Sequence, residues 1–410
     1  MKSINFTTGV IVAISSMFVA CDNGEDLQDI INKVEDIETG FTVPSTYNFT
    51  RGGNTTVSFS GQTTRLSMAK EVLNYLAVDS GKSAQEIEAA FAHTTGANDF
   101  TDTDLNASDK SVKSKVAASD DLFGEDAVTK GAIQADFSEY ISNQVSEVVP
   151  NKDVEATAGT AGYIGSKPRY VNGKGIEYNQ VFNKGMIGAL VMDQVLNNYL
   201  GNIRVSNEDY ISKNNAETLE EGKNYTKYEH HFDEAYGYVY GDATVDSESP
   251  IDRAGDKFLF SYITQVNADT DFEGIQNQIF KAFVLGRAAV VANEYEVLNK
   301  AIDVLQYQIS KVVAVRAVHY FQAGKVSLAA DDYESAFHAL SEGYGFLYSL
   351  QFSRNPVTDA PYFTFEEVTT LLDKLEAGNG FWDLKDGTVL DEVSNAISAK
   401  FDFTTAQAAN

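Results

Sequence analysis

Residues 230–241 read HHFDEAYGYVYG, and residues 338–349 read HALSEGYGFLYS. At 100° per residue, each stretch presents a large apolar face and, opposite it, a narrow face of small and titratable residues. In the first, Tyr225, Tyr228, Phe232, Tyr236 and Val239 line the large face, with His230, Glu234, Gly237 and Gly241 behind them. In the second, Tyr333, Phe337, Leu340, Tyr344 and Leu347 oppose His338, Glu342, Gly345 and Ser349. A face of Gly and Ser lets another helix backbone come close. Both helices are therefore expected to be covered on two sides, with their His/Glu pairs inside. The shared spacing predicts an all-α fold: a duplicated helical bundle whose halves are offset by 108 residues, with their boundary in the acidic stretch 245–256.

The remaining periodicity agrees. Helical spacing runs through Leu66–Leu76, Ile87–Phe91, Ala132–Val148 and Glu177–Leu200, then through 257–267, 272–293, 295–323, 332–352, 364–376 and 388–400. Before them, alternation around Arg51-Gly52-Gly53-Asn54 predicts one small β-hairpin. Residues 95–130, rich in Asp, Ser, Thr and Lys, read as a surface excursion, and 149–175 as a loop.

The N-terminus reads as an export signal. Lys2 precedes the apolar run GVIVAISSMFVA, too short to span a bilayer. The run ends at Cys21, the sole cysteine of the chain, so no internal disulfide can form. Phe18-Val19-Ala20-Cys21 is similar to a bacterial lipobox, although Phe18 departs from its pattern. The expected organisation is a signal peptide over 1–20, a lipidated Cys21 with an acidic tether to residue 42, and a helical domain over 43–410. A formal charge of −28 argues against nucleic acid as a partner, because phosphate recognition needs clustered Lys and Arg. Asp102-x-Asp104-x-Asn106 starts like a calcium loop, but Ala107 and Lys113 replace the Gly and Glu that such a loop needs.

Taken with the lipobox and the segment YNF…VSFSGQTTR (Tyr47 to Arg65), the two His/Glu helices resemble a family of Gram-negative lipoproteins related to the imelysins. The resemblance implies a double helical bundle on the periplasmic or surface face of the outer membrane, associated with iron acquisition. The imelysin signature G-x-H-x-x-E matches His231 and Glu234, with Glu229 in the glycine position. The second motif departs from it, since His338 and Glu342 are four apart, and whether His230 or His231 partners Glu234 stays open. The residues allow two uses. His230, His231, Glu234, His338 and Glu342 can supply a two-histidine, two-carboxylate set for Fe, Zn or Mn. Alternatively Arg287, on the stripe Phe280, Phe283, Val284 and Ala288, takes Glu234 or Glu342 as a buried partner, with Arg316 and His319 in the same network. The expected function is a lipid-anchored binding protein for a metal or metal-loaded small ligand. An interaction lipoprotein of a surface protein complex and a peptidase are the alternatives.

Overall fold

The computed structural model describes Val34 and residues 39–241, 244–245, 250–252 and 258–410. The export signal, Cys21, most of the acidic tether and most of the expected half-boundary lie outside the described residues. The chain is mostly helical, with a two-stranded hairpin near its N-terminus. The hairpin pairs β1 (Thr50–Arg51) with β2 (Asn54–Thr55). Its turn holds Gly52 and Gly53 at φ 60° and 81°, a conformation that the missing Cβ makes accessible.

The principal helices are α1 (Ser60–Tyr75), α2 (Ala84–Phe91), α3 (Ala127–Asn143), α4 (Tyr178–Met186), α5 (Lys227–Tyr240), α6 (Leu259–Ala268), α7 (Ile275–Ala292), α8 (Tyr295–Ala329), α9 (Tyr333–Ser349), α10 (Phe365–Glu376) and α11 (Thr388–Ser398). Five of them close a ring of contacts: α4 packs on α9 and, through the π-helix Ile187–Tyr199 that continues it, on α5; α5 packs on α7, α7 on α8, and α8 on α9. Tight turns join α7 to α8 and α8 to α9, with Asn293 and Asp331 in left-handed conformation. At 35 residues, α8 spans about 52 Å and carries both neighbours along its length.

The α4 helix is the most enclosed member of this ring. It continues without a break into a π-helix over Ile187–Tyr199, and every residue from 181 to 200 is buried. A helix enclosed on all sides must satisfy its polar groups internally. Asn197 donates to the Phe352 carbonyl at 2.9 Å, Asn198 donates to Gln194 at 2.8 Å, and Asp193 accepts the amides of Ala118 and Ser119 at 2.8 and 2.9 Å. These last bonds correct the reading of 95–130 as a surface excursion. Val112, Val116 and Ala117 are fully buried, and the Ala117 amide donates to Ala189 of the π-helix at 2.8 Å. The segment's polar composition hides an inner edge that buries one small residue at a time. A second hairpin, β3 (Gly162–Ile164) with β4 (Arg169–Val171), lies in the expected loop 149–175, its strands too short to show an alternation.

The small-residue faces meet neighbouring segments at close range. A Cβ on Gly345 of α9 would stand 2.5 Å from Lys184 Cβ, and one on Gly188 would stand 2.5 Å from Ser349 Cα. Ser349 seals the crossing, accepting from the Gly188 amide at 2.9 Å and donating to the Lys184 carbonyl at 2.7 Å. On α5, Gly237 lies against Phe59 and Gln62 at the start of α1. The large faces pack elsewhere: Tyr236 and Phe232 against Phe283 of α7, and Phe337 against Trp382.

Gly188→Ala gains up to about 1 kcal/mol of helix propensity but forces a methyl into main-chain atoms, which costs about 1–3 kcal/mol. Because the obstacle is backbone, the clash should win, lowering the urea midpoint at unchanged m-value. Gly131 of α3 faces open space, so Gly131→Ala should instead stabilise by about 0.5–1 kcal/mol.

Candidate functional site

Thr226 starts α5 with a capping box: its hydroxyl accepts from the Glu229 amide while the Glu229 carboxylate accepts from the Thr226 amide at 2.7 Å. Glu229 thus lies in the first turn, and Asp233 follows one turn later on the same side. Both point at Arg287 of α7, whose side chain is completely buried. Arg287 donates through Nε to Asp233 at 2.9 Å, through Nη1 to Glu229 at 3.3 Å and through Nη2 to Thr56 at 3.0 Å, with the Phe49 ring 4.9 Å from the guanidinium. Arg51 forks onto Glu229 with two 3.0 Å bonds, while the Tyr47 hydroxyl and the Ser58 amide donate to Asp233 at 2.9 and 3.1 Å. Burial opposes the charge of Arg287, but Asp233 and Glu229 outweigh it and hold its pKa above the ordinary value. Two arginines facing two carboxylates clamp the hairpin segment 47–58 to α5 and α7.

This cluster corrects the expected ion pairing. The partners of Arg287 are Asp233 and Glu229, not Glu234 or Glu342. Arg316 forms no ion pair among the described residues; its guanidinium lies over the rings of Tyr320 and Tyr262, at 4.4 and 5.7 Å. His319 meets the main-chain oxygen of Asn410 at 2.9 Å and forms no ion pair with an Asp or Glu side chain among the described residues. The aromatic rings beside Arg316 supply the favourable surface that sequence reasoning had assigned to an acid.

With Asp233 turned to Arg287, its neighbours on α5 face other ways. His231 is buried; Arg204 donates to its Nε2 at 3.2 Å, which places the ring proton on Nδ1, and the Tyr210 ring lies 4.9 Å away. Burial first, and then Arg204, push its pKa down to about 3. His230 and Glu234 share a face one turn apart and open together on a polar cleft of about 500 Å³. It is therefore His230, not the His231 of the H-x-x-E match, that accompanies Glu234. His230 stacks on Tyr225 at 4.6 Å, and its buried Nδ1 has no hydrogen-bond partner. Glu234 accepts from Gln62 at 3.0 Å and Tyr199 at 3.1 Å. Arg65, Lys115, Lys223 and the Asp109–Lys110 pair line the rest. Sequence reasoning missed these residues. Their one local signal was KSVKSK (Lys110 to Lys115), a basic run in an acidic chain.

The second motif has different surroundings. Glu342 pairs with buried Lys184 at 2.9 Å, and His338 stands between Glu342 at 3.9 Å and Glu177 at 3.2 Å. Burial opposes ionisation of Glu342, but Lys184 and then His338 outweigh it and hold its carboxyl below the usual range. Among the described residues, no three His, Cys, Asp or Glu side chains gather closely enough to hold a metal ion. The expected set His230, His231, Glu234, His338 and Glu342 is thus divided between α5 and α9. His231 is engaged by Arg204 and Glu342 by a lysine, so these residues do not fit a bare divalent cation.

Two measurements probe this geometry. Arg287→Met leaves Asp233 buried without its countercharge and should cost about 3–5 kcal/mol in denaturant unfolding. For His231, the unfolded chain binds a proton below pH 6.5 that the folded chain refuses down to about pH 3. Folding stability should therefore fall across that window as pH drops, by up to about 1.4 kcal/mol per unit. His231→Gln should flatten this slope in melts recorded from pH 7 to 4.

No curated protein and no solved structure matches the chain. A family model does match, over residues 44–404, which takes in the hairpin, the ring of helices and the cleft. The chain belongs to the family described as a domain of unknown function, DUF4856.

Proposed function

We propose that this protein is a cell-envelope lipoprotein, held at the outer membrane through Cys21, that binds a small polar ligand in the cleft beside His230 and Glu234. The cleft carries this reading: about 500 Å³ of polar-walled space, lined by His230 and by Glu234. The resemblance to imelysin-like lipoproteins supports iron acquisition as the setting. Because the His and Glu residues do not converge, the cargo on this reading is a metal-loaded ligand and not a naked ion. Among the described residues no helix is long and apolar enough to cross a membrane, in keeping with attachment through a lipid.

An architectural lipoprotein of a surface complex is the competing reading. It is favoured by the ion pairs that occupy Glu229, Asp233 and Glu342 and need no ligand.

Labelled palmitate should enter the wild-type protein, and Cys21→Ala should abolish labelling and release the chain from the membrane fraction; labelling that survives the substitution rules out the anchor. Thermal melts of the purified protein with candidate metal chelates separate the two readings. A ligand at a hundredfold excess over its Kd should add about 2.7 kcal/mol, whereas a purely architectural protein melts at one temperature throughout.

A further inference from the structure

The charges in the cleft oppose the charge of the molecule. The chain as a whole carries −28, yet the cleft wall holds four cationic side chains against two carboxylates. Both carboxylates are already engaged: Asp109 with Lys110 at 2.7 Å, and Glu234 with the donors of Gln62 and Tyr199. Arg65 is buried and has only neutral partners, the Ser111 carbonyl and the Tyr238 hydroxyl, both at 3.0 Å. Lys115 forms no ion pair among the described residues, and neither does Lys223 at the rim. Burial first, then the nearby Arg65, depress the pKa of Lys115 against the opposing pull of Glu234 and Asp120.

A lysine with no direct ion-pair partner beside a buried guanidinium, where burial and like charge outweigh the pull of more distant carboxylates, destabilises the fold in the absence of a counterion. A fold that retains this pair at the wall of a solvent-connected cavity has a place for an anion. The protein's overall negative charge does not forbid it, since fields from distant surface charges are screened within about 8 Å at physiological ionic strength. Resting on the reading of the cleft as the binding site, we propose that its ligand is a small oxyanion, a carboxylate- or phosphate-bearing molecule, gripped by Arg65 and Lys115. The His230 ring and Tyr225 close one side. A metal carried by this protein would then arrive as an anionic chelate, its negative carboxylates facing the two cations.

The decisive variant is Lys115→Met, which keeps the aliphatic stem and removes the charge. Calorimetric titration with citrate, ferric citrate and inorganic phosphate should show binding of at least one of them to the wild-type protein, and its weakening by added salt. Lys115→Met should lose tenfold or more in affinity while melting, without ligand, at or above the wild-type temperature. A merely structural lysine would lower that temperature. The probes also separate the sources: phosphate alone identifies a phosphate site, citrate with ferric citrate a carboxylate site, and ferric citrate alone a chelate site. Equal binding by Lys115→Met, or no binding of any of the three, overturns the proposal. If a neutral or cationic metal chelate raises the wild-type melting temperature while the anions do nothing, the oxyanion inference fails and the binding-protein reading stands. If neither such chelates nor anions act, both fail.

Discussion

The completely buried guanidinium of Arg287 is the interaction on which the arrangement depends. A charge removed from water must be met by countercharge and by hydrogen bonds in good geometry, or it destabilises the fold by several kcal/mol. Asp233, Glu229 and Thr56 meet it from two separate parts of the chain. Because Asp233 and Glu229 stand one turn apart, their joint contact with Arg287 sets the rotation of α5 about its axis. That rotation sends His230 and Glu234 into the cleft and His231 towards Arg204. The same cluster holds the segment 47–58, whose end supplies Ser58 to the cleft wall. Core ion pair and candidate site are thus parts of one geometric constraint.

Close helix approach is the second determinant. Gly188, Gly345 and Ser349 bring α9 against the centre of the bundle, and Gly237 brings α5 against the beginning of α1. Moving α5 outward by one methyl would separate Glu234 from Gln62, which donates to it from α1. The buried ladder of Asp193, Gln194, Asn197 and Asn198 complements this packing, because each amide or carboxylate on the enclosed helix finds a partner in a neighbouring segment or one turn away. Polar satisfaction of this kind favours one register of packing over its neighbours.

The two His/Glu motifs share a spacing but not an environment. Glu234 is held by neutral donors and Glu342 by a lysine; His230 is stacked beside open space, while His338 lies between two carboxylates. The second motif is electrostatically closed, and the first remains available to solvent and to a ligand. Of the cationic residues around it, Arg65 comes from α1 and Lys110 and Lys115 from the KSVKSK run, far from either motif in the chain, while Lys223 stands just before α5.

The order of the helices, the hairpin at Gly52-Gly53, and the division of α5 and α9 into large and small faces were legible in the sequence. Each depends on local steric rules or on a 3.6-residue period that a single segment displays. The inner edge of residues 95–130 was not legible, because Val112, Val116 and Ala117 are buried by tertiary packing, Ala117 against the enclosed π-helix, and not by any periodicity of their own. Nor were the partners of Arg287, the separate fates of His230 and His231, or the gathering of Arg65 and Lys115 at one wall. Helical periodicity states which residues share a face. Which charge stands opposite that face depends on the helix packed there, and Arg287 comes from 54 residues beyond Asp233, so tertiary packing alone could decide it.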